Sequence, residues 1–252
     1  MRILPAVLKE LVTHVPTVLF EVTDWHELAS ELPKLSRKFL KKEGYSSLFN
    51  LQKSYLQSAQ IHLEEKAELN LPEQLSKPLG EQFLALYFSQ LFSPHGIFLD
   101  LRANHFSLAS DNTLLWHPPA LWVRFDDTFR EGLLDVYDGF YLQNDDLYYN
   151  GLVKAGLMST DWSLEDKEKL GQLFKGQFGS SLTTEMRFTL EGFKSSMMLI
   201  ADFLLEKKVK ISKDFLYLGI YLVTLYSVLE KVEEPLAVRD VYLRVRDQVQ
   251  RI

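Results

Sequence analysis

The chain has 252 residues, of which 46% are hydrophobic and 13% are aromatic, so it is long and apolar enough to bury a core. It contains no cysteine, which excludes disulfides and thiolate metal sites and predicts a reducing, cytoplasmic location. The formal net charge of −6 gives the chain no overall attraction to nucleic acid, and we predict no nucleic-acid partner.

The N-terminal stretch places Lys9, Glu10 and His14 among its apolar residues, unlike the uninterrupted core of a signal peptide. Its apolar residues at helical spacing are Leu4, Val7, Leu8, Leu11 and Val15. Such a helix either packs on the rest of the domain or lies at an interface, so peripheral membrane contact through it stays open. The run from Lys34 to Lys42 is either a solvated helix face or a local basic patch.

Extended structure is predicted at two places. The stretch QIHLEE, which begins at Gln60, alternates Ile61 and Leu63 with polar residues and predicts a short strand. The stretch FSLASDNTLLW has two apolar arms around a Ser-Asp-Asn sequence at 110–112, which predicts a hairpin with its turn there.

Helical periodicity covers most of the remaining chain. Apolar residues three or four apart predict helices over 78–91 and 127–142, with Asp127 as the N-cap of the second. A later apolar stripe consists of Met186, Leu190, Phe193, Met197, Ala201 and Leu204. The apolar run from Phe215 is shorter than the ~18 residues that a membrane-spanning helix needs, so it predicts a buried helix and no transmembrane segment.

The order of these elements is that of a protein-kinase C-lobe: a strand, an acidic turn, a helix, the segment FLDLRANHF, a hairpin and a helical tail. From Pro78 onward the chain resembles the UbiB/AarF group of atypical kinase-like proteins, whose members are associated with ubiquinone biosynthesis and related lipid chemistry. Within FLDLRANHF, Asp100 falls on the family's catalytic Asp, and Phe129 opens the sequence FREGL, which is similar to the start of a family helix. Upstream, FLKKEGYSSLF resembles a family helix and places Glu43 at the position of the helix-C glutamate.

The resemblance implies a mainly α fold with a small β component, built as a kinase-like C-lobe with a reduced N-lobe remnant. We therefore expect a single kinase-like domain over 1–252. Its N-lobe remnant would span 1–66 and its helical C-lobe would span 67–252.

The chain departs from the family's motifs at the positions that bind nucleotide and magnesium. Phosphoryl transfer needs a Lys on the phosphates, an Asp near the attacking hydroxyl, and an Asn and a second Asp that hold magnesium. In FLDLRANHF the family's second His becomes Arg102 and its metal-binding Asn becomes His105, with Asn104 one residue away. The Asp-Phe-Gly triplet falls on Pro-Pro-Ala at 118–120, and the roughly forty residues before Glu43 leave no room for the strands that carry the Lys. We therefore expect no magnesium site and no nucleotide cofactor.

Two interpretations of the remaining polar residues stay open. Asp100, His105 and His117 together would suit zinc or iron, because imidazole and carboxylate groups are ligands for those metals. Alternatively, the histidines are hydrogen-bonded structural residues, and Asp100 caps a turn or pairs with Arg102.

The sequence supports three hypotheses about function. The first is a non-catalytic, UbiB-like pseudokinase that binds or scaffolds a protein partner, with a link to quinone or lipid metabolism by family analogy alone. The second is an enzyme with residual or altered phosphotransfer or metal chemistry around Asp100. The third is an unrelated all-helical regulatory or partner-binding domain. For a kinase-like fold, we expect the Asp100 segment beside the 106–116 hairpin and the helices of 186–230 at the far end.

Overall fold

The structure, a computed structural model, describes residues 17–23, 25–58, 61–64, 71–177 and 185–249. These residues are mainly helical with small β-sheets, which confirms the predicted mainly α fold. The helices are α1 (Thr17–Val22), α2 (Trp25–Lys41), α3 (Tyr45–Ser58), α4 (Lys77–Phe92), α5 (Asp127–Tyr141), α6 (Asp145–Lys154), α7 (Leu164–Gln177), α8 (Leu190–Glu206), α9 (Lys213–Leu229) and α10 (Val238–Val249). The predicted apolar stripe at 4–15 lies outside the described residues.

The strands are β1 (Ile61–Leu63), β2 (Ile97–Phe98), β3 (Phe106–Leu108), β4 (Leu114–Trp116), β5 (Trp122–Val123), β6 (Glu185–Met186) and β7 (Leu236–Ala237). Strands β3 and β4 are antiparallel, with Phe106 opposite Trp116, and Asn112 in their turn adopts a left-handed φ of 64°. The predicted hairpin is therefore confirmed. Strand β1 adds to it as the parallel neighbour of β4, whereas β2 pairs with β5 and β6 pairs with β7.

One hydrophobic cluster joins side chains from both ends of the described chain, from Leu19 to Val245. Aromatic rings occupy much of it, and Tyr87 of α4 stacks on Tyr221 of α9 with ring centroids 5.0 Å apart. Helix α9 is buried along nearly its whole length, so the apolar run from Phe215 is a core helix, as predicted. Within the described ranges, no helix combines the length and the apolar character needed to cross a bilayer.

Helices α5 and α6 approach each other unusually closely because glycines face their contact. A Cβ added at Gly139 would overlap the backbone nitrogen of Tyr148, and one at Gly151 would lie 2.6 Å from the backbone nitrogen of Val136. Neither position has room for a larger side chain without movement of the facing backbone. The pair is therefore closely packed, and it follows β5 directly in the chain.

The apolar stripe that begins at Met186 is not a single helix, so this prediction is wrong at its start. Met186 lies in β6 and pairs with Leu236 of β7. Helix α8 begins at Leu190, after Thr189, whose Oγ1 accepts a hydrogen bond from the backbone N–H of Gly192 at 3.1 Å. This side-chain cap satisfies an N–H group at the helix start, so the chain switches from strand to helix there.

The predicted N-cap of α5 is displaced by one residue. Asp126, rather than Asp127, precedes the helix, and its Oδ1 accepts the backbone N–H of Thr128 at 2.9 Å. Asp127 occupies the first turn instead, where its negative charge interacts favourably with the helix dipole. Two adjacent acids of the same type both fit a helix start, so the sequence alone does not distinguish them.

Candidate functional site

The Asp100 loop, defined as residues 99–105, connects β2 to β3 and is anchored at its first residues. The backbone N–H of Phe98 donates to Oε1 of Gln90 on α4 at 2.8 Å. The backbone N–H of Leu99 donates to the carbonyl oxygen of Leu121, just before β5, at 3.0 Å. Because β2 also pairs with β5, the position and direction of the chain at the start of the loop are fixed.

Helix α9 lies directly behind the Asp100 loop and holds its backbone through one buried hydroxyl. Thr224 Oγ1 accepts the N–H of Leu101 at 3.1 Å, and its one hydroxyl proton has two carbonyl acceptors in reach, that of Tyr221 in the same helix at 2.8 Å and that of Leu99 at 3.0 Å. Thr224 is fully buried, so its hydroxyl takes the place of water for the N–H of Leu101. The expectation that the helices of 186–230 form the far end of the fold is therefore wrong for α9.

Both carboxylate oxygens of Asp100 accept hydrogen bonds, and the residue is 0% exposed. Oδ1 accepts the backbone N–H of Arg102 at 3.1 Å and its Nε at 2.9 Å, while Oδ2 accepts its Nη2 at 2.8 Å. Oδ2 also lies 3.0 Å from Nε2 of His105. The Arg102 guanidinium thus binds the carboxylate in the bidentate geometry of strong charge-assisted pairs. The pairing of Asp100 with Arg102, one of the two roles considered from the sequence, is present.

These contacts keep Asp100 ionised. Burial by itself would raise the pKa of Asp100, but the hydrogen bonds from His105 and Arg102 outweigh burial and lower it from 3.8 to about 2. A general base works best when its pKa is near the operating pH and when it reaches the proton that it removes. Asp100 meets neither condition, because its pKa is low and both of its oxygens are engaged inside the protein.

The structure brings His105 to Asp100 but turns His117 elsewhere. The two histidines are neighbours at the open end of the hairpin, where the backbone N–H of His117 donates to the carbonyl oxygen of His105 at 2.9 Å. The ring of His117, however, places Nδ1 2.9 Å from the carbonyl oxygen of Glu64. Asn104 is exposed on the short 3₁₀ turn of the loop. The part of the chain that is described contains no group of three His, Asp or Glu side chains able to hold a metal ion.

The segment at 118–120, where the resemblance expects Asp-Phe-Gly, is covered by a side chain from α3. The hydroxyl of Tyr45 donates to the carbonyl oxygen of Pro118 at 3.0 Å, and the Tyr45 ring contacts that of Phe98 with centroids 5.7 Å apart. Magnesium needs hard oxygen ligands in octahedral geometry, and the side chains of this Pro-Pro-Ala segment supply none. At the position that the resemblance assigns to a metal ligand, the structure has a backbone carbonyl bonded to the Tyr45 hydroxyl.

Glu43 lies in a turn, so the helix expected across FLKKEGYSSLF is wrong. That stretch forms the end of α2, a turn at 42–44 and the start of α3. Lys42 has a φ of 50° and Gly44 has a φ of 74°, and left-handed residues of this kind end a helix. The side chain of Glu43 is exposed, while its carbonyl oxygen accepts the indole N–H of Trp122 at 3.1 Å. The turn is thereby fastened to β5.

Gln90 and Thr224, which support the Asp100 loop, were missed in the sequence. Each is a polar residue inside a strongly apolar helix, in LALYFSQLF and FLYLGIYLVTLYSVL respectively, and each is fully buried. Besides holding β2, Gln90 donates from Nε2 to the hydroxyl of Tyr221 at 2.7 Å. A buried polar side chain must find a partner, so an isolated Gln or Thr in an apolar run is the signal that identifies such supports.

Comparison of the chain with protein-family models and with curated proteins finds no match. The functional argument therefore depends on the residues of the Asp100 loop and on their contacts.

Proposed function

We propose that the chain is a non-catalytic, kinase-like protein that acts as a binding or scaffolding module. The observation that carries this proposal is the state of Asp100, which is 0% exposed and has both oxygens bonded to Arg102 and His105. A catalytic Asp of a kinase must accept the proton of a substrate hydroxyl, which requires a free oxygen within reach of the substrate. In this chain the guanidinium of Arg102 binds both oxygens of the carboxylate instead.

The order of elements around the loop supports the resemblance to UbiB/AarF proteins. Helix α4 is followed by β2, the Asp100 loop, the β3–β4 hairpin, β5 paired back to β2, and then α5. This order fits a kinase-like C-lobe, with α1 to α3 and β1 as the reduced N-lobe remnant that we propose. A connection with quinone or lipid chemistry extends the proposal by analogy alone.

The residues at the metal positions support a loss of phosphoryl transfer. Catalysis of that reaction consists mainly of positioning and of charge neutralisation by Lys and magnesium. Here His105 stands at the Asn position and is bonded to Asp100, and the Pro-Pro-Ala segment at 118–120 has no carboxylate. A protein that keeps the packed loop but lacks metal-binding oxygens at these two places is suited to present surfaces to a protein partner.

A thermal-shift panel with Mg-ATP, Mg-ADP and divalent metals tests the proposal. A ligand present at a thousand times its Kd stabilises the folded state by about 4 kcal/mol, which raises Tm by roughly 8–16 °C for a chain of this size. We expect no concentration-dependent rise for any of these ligands. A rise with Mg-ATP that disappears in Asp100→Asn, a variant that keeps the shape of the side chain, would show that the loop is a working nucleotide site.

A further inference from the structure

The C-terminal half of α2 and the turn after it concentrate positive charge on an acidic protein. The nine residues from Lys34 to Lys42 contain five cations and no acid, whereas the whole chain has a net charge of −6, so the rest of the chain carries −11. The cations are Lys34, Arg37, Lys38, Lys41 and Lys42, which together we call the basic face. Those within α2 recur three or four residues apart, a spacing that places them on one side of a helix.

Most of the charge on the basic face is free to meet a partner. Arg37, Lys41 and Lys42 are exposed, and within the described ranges of the chain they form no ion pair. Lys34 is partly neutralised by Glu31, whose Oε1 lies 2.7 Å from its Nζ. Charged side chains on a solvated helix face are commonly interspersed with acids, whereas no acid lies between Glu31 and Glu43.

The opposite side of α2 is anchored to the core, so the basic face has a defined direction. Leu35 is buried, and Phe39 packs against the hydrophobic cluster. Lys38 reaches across to β5, where its Nζ lies 4.3 Å from the centroid of the Trp122 ring. With one side of the helix held in this way, the free cations point away from the body of the protein.

An exposed leucine lies among the free cations. Leu40 is 72% exposed and is adjacent in sequence to Lys41 and three residues after Arg37. A single exposed leucine is ordinary on a protein surface. A bilayer surface offers anionic headgroups and hydrocarbon at the same place, so it can take up the free cations and Leu40 together. A nucleic acid or an acidic peptide offers the charge without the hydrocarbon.

We propose that the basic face docks on the surface of an anionic phospholipid bilayer, with Leu40 inserted at the boundary between headgroups and acyl chains. The acidic remainder of the chain is repelled by such a surface, so the protein binds with α2 towards the lipid. Each Lys or Arg near an anionic leaflet strengthens binding by about five-fold. This surface is separate from the Asp100 loop and does not depend on the proposed loss of catalysis.

The absence of cysteine makes a site-specific test available. Leu40→Cys supplies the only thiol, to which an environment-sensitive fluorophore is attached. Leu164→Cys is the matched control, because Leu164 is also 72% exposed but is followed by Glu165 and Asp166 at the start of α7. Both labelled proteins are mixed with vesicles of phosphatidylcholine, and with vesicles of phosphatidylcholine and phosphatidylserine.

We expect a blue-shifted and brighter label at Leu40→Cys with the phosphatidylserine vesicles only, and no change at Leu164→Cys with either. In co-sedimentation, replacing both Arg37 and Lys41 with Glu should weaken binding to those vesicles at least about 25-fold, while the melting temperature stays near that of the parent. Equal responses of the two labels, or no co-sedimentation with phosphatidylserine vesicles, would overturn the proposal. Retention on polyglutamate or DNA without any shift of the Leu40→Cys label on vesicles would overturn it in favour of a macromolecular polyanion.

Discussion

Replacing Asp100 with alanine should strongly destabilise the protein, because the change leaves Arg102 without its carboxylate. The Asp100 carboxylate accepts four hydrogen bonds, three from Arg102 and one from His105. The Arg102 side chain is only 17% exposed, so water does not fully replace the lost partner. In an active kinase, by contrast, loss of the catalytic Asp acts on the transition state rather than on the folded state.

The size of the effect follows from the burial of the pair. Removing one partner of a buried ion pair costs about 3–5 kcal/mol, and the residual exposure of Arg102 places Asp100→Ala near about 3 kcal/mol. For a chain of this size, 1 kcal/mol changes Tm by roughly 2–4 °C, so the melting temperature should fall by roughly 6–12 °C. Asp100→Asn keeps one acceptor oxygen and should recover about half of the loss.

Circular dichroism melts of the parent and the variants measure these differences. His105→Ala is the internal control, because it removes one of the four hydrogen bonds while Arg102 still binds the carboxylate, so it should cost less than Asp100→Ala. A melting temperature of Asp100→Ala within about 2 °C of the parent would refute the structural role of the carboxylate. The same conclusion would follow if Asp100→Asn melted like Asp100→Ala, because the order of the two variants depends on hydrogen bonding.

Three further predictions concern pH and packing. The native pKa of Asp100 is depressed, so its contribution to stability is complete above pH 3.8 and is lost as the pH falls through about 2. The difference in Tm between the parent and Asp100→Asn should therefore shrink between these two pH values. A difference in Tm that stays constant would contradict the prediction. Thr224→Val leaves the buried backbone N–H of Leu101 without its acceptor and should cost about 1–3 kcal/mol in urea unfolding. Thr224→Ser keeps the hydroxyl and should cost less, and equal values for the two variants would argue against this support of the loop. Gly139→Ala should cost about 1–3 kcal/mol because the added methyl group overlaps the backbone of Tyr148. Gly176→Ala, whose methyl group would enter open space, should be neutral or slightly stabilising. If both variants matched the parent in the same urea assay, this packing would be contradicted.

Local signals were sufficient for the hairpin and for most helices. The arms of FSLASDNTLLW form β3 and β4, and their turn uses Asn112, a residue type that tolerates a left-handed φ. The pairing of Asp100 with Arg102 was also accessible, because the two residues are two positions apart in one loop. The contact of His105 with Asp100 depends on the 3₁₀ turn between them, which no residue in the loop signals strongly.

The neighbours of α9 and the end of α2 required information that the sequence does not contain. Helix α9 is buried on nearly all sides, so its periodicity does not indicate which side faces the Asp100 loop, and Thr224 contacts Leu101 across 123 positions of the chain. At the end of α2, Lys42 adopts a left-handed conformation that its residue type does not favour. The turn there is stabilised by a distant indole, that of Trp122, which bonds to the carbonyl oxygen of Glu43.

Calorimetric titration of the protein with Mg-ATP tests the central claim most directly. If Asp100 is a buried, fully bonded residue in a loop without metal ligands, the titration should show no saturable heat up to millimolar concentration, which corresponds to less than about 4 kcal/mol of binding free energy. A saturable signal in the micromolar range would contradict the account, because it would require the nucleotide and metal contacts that the loop and the 118–120 segment lack.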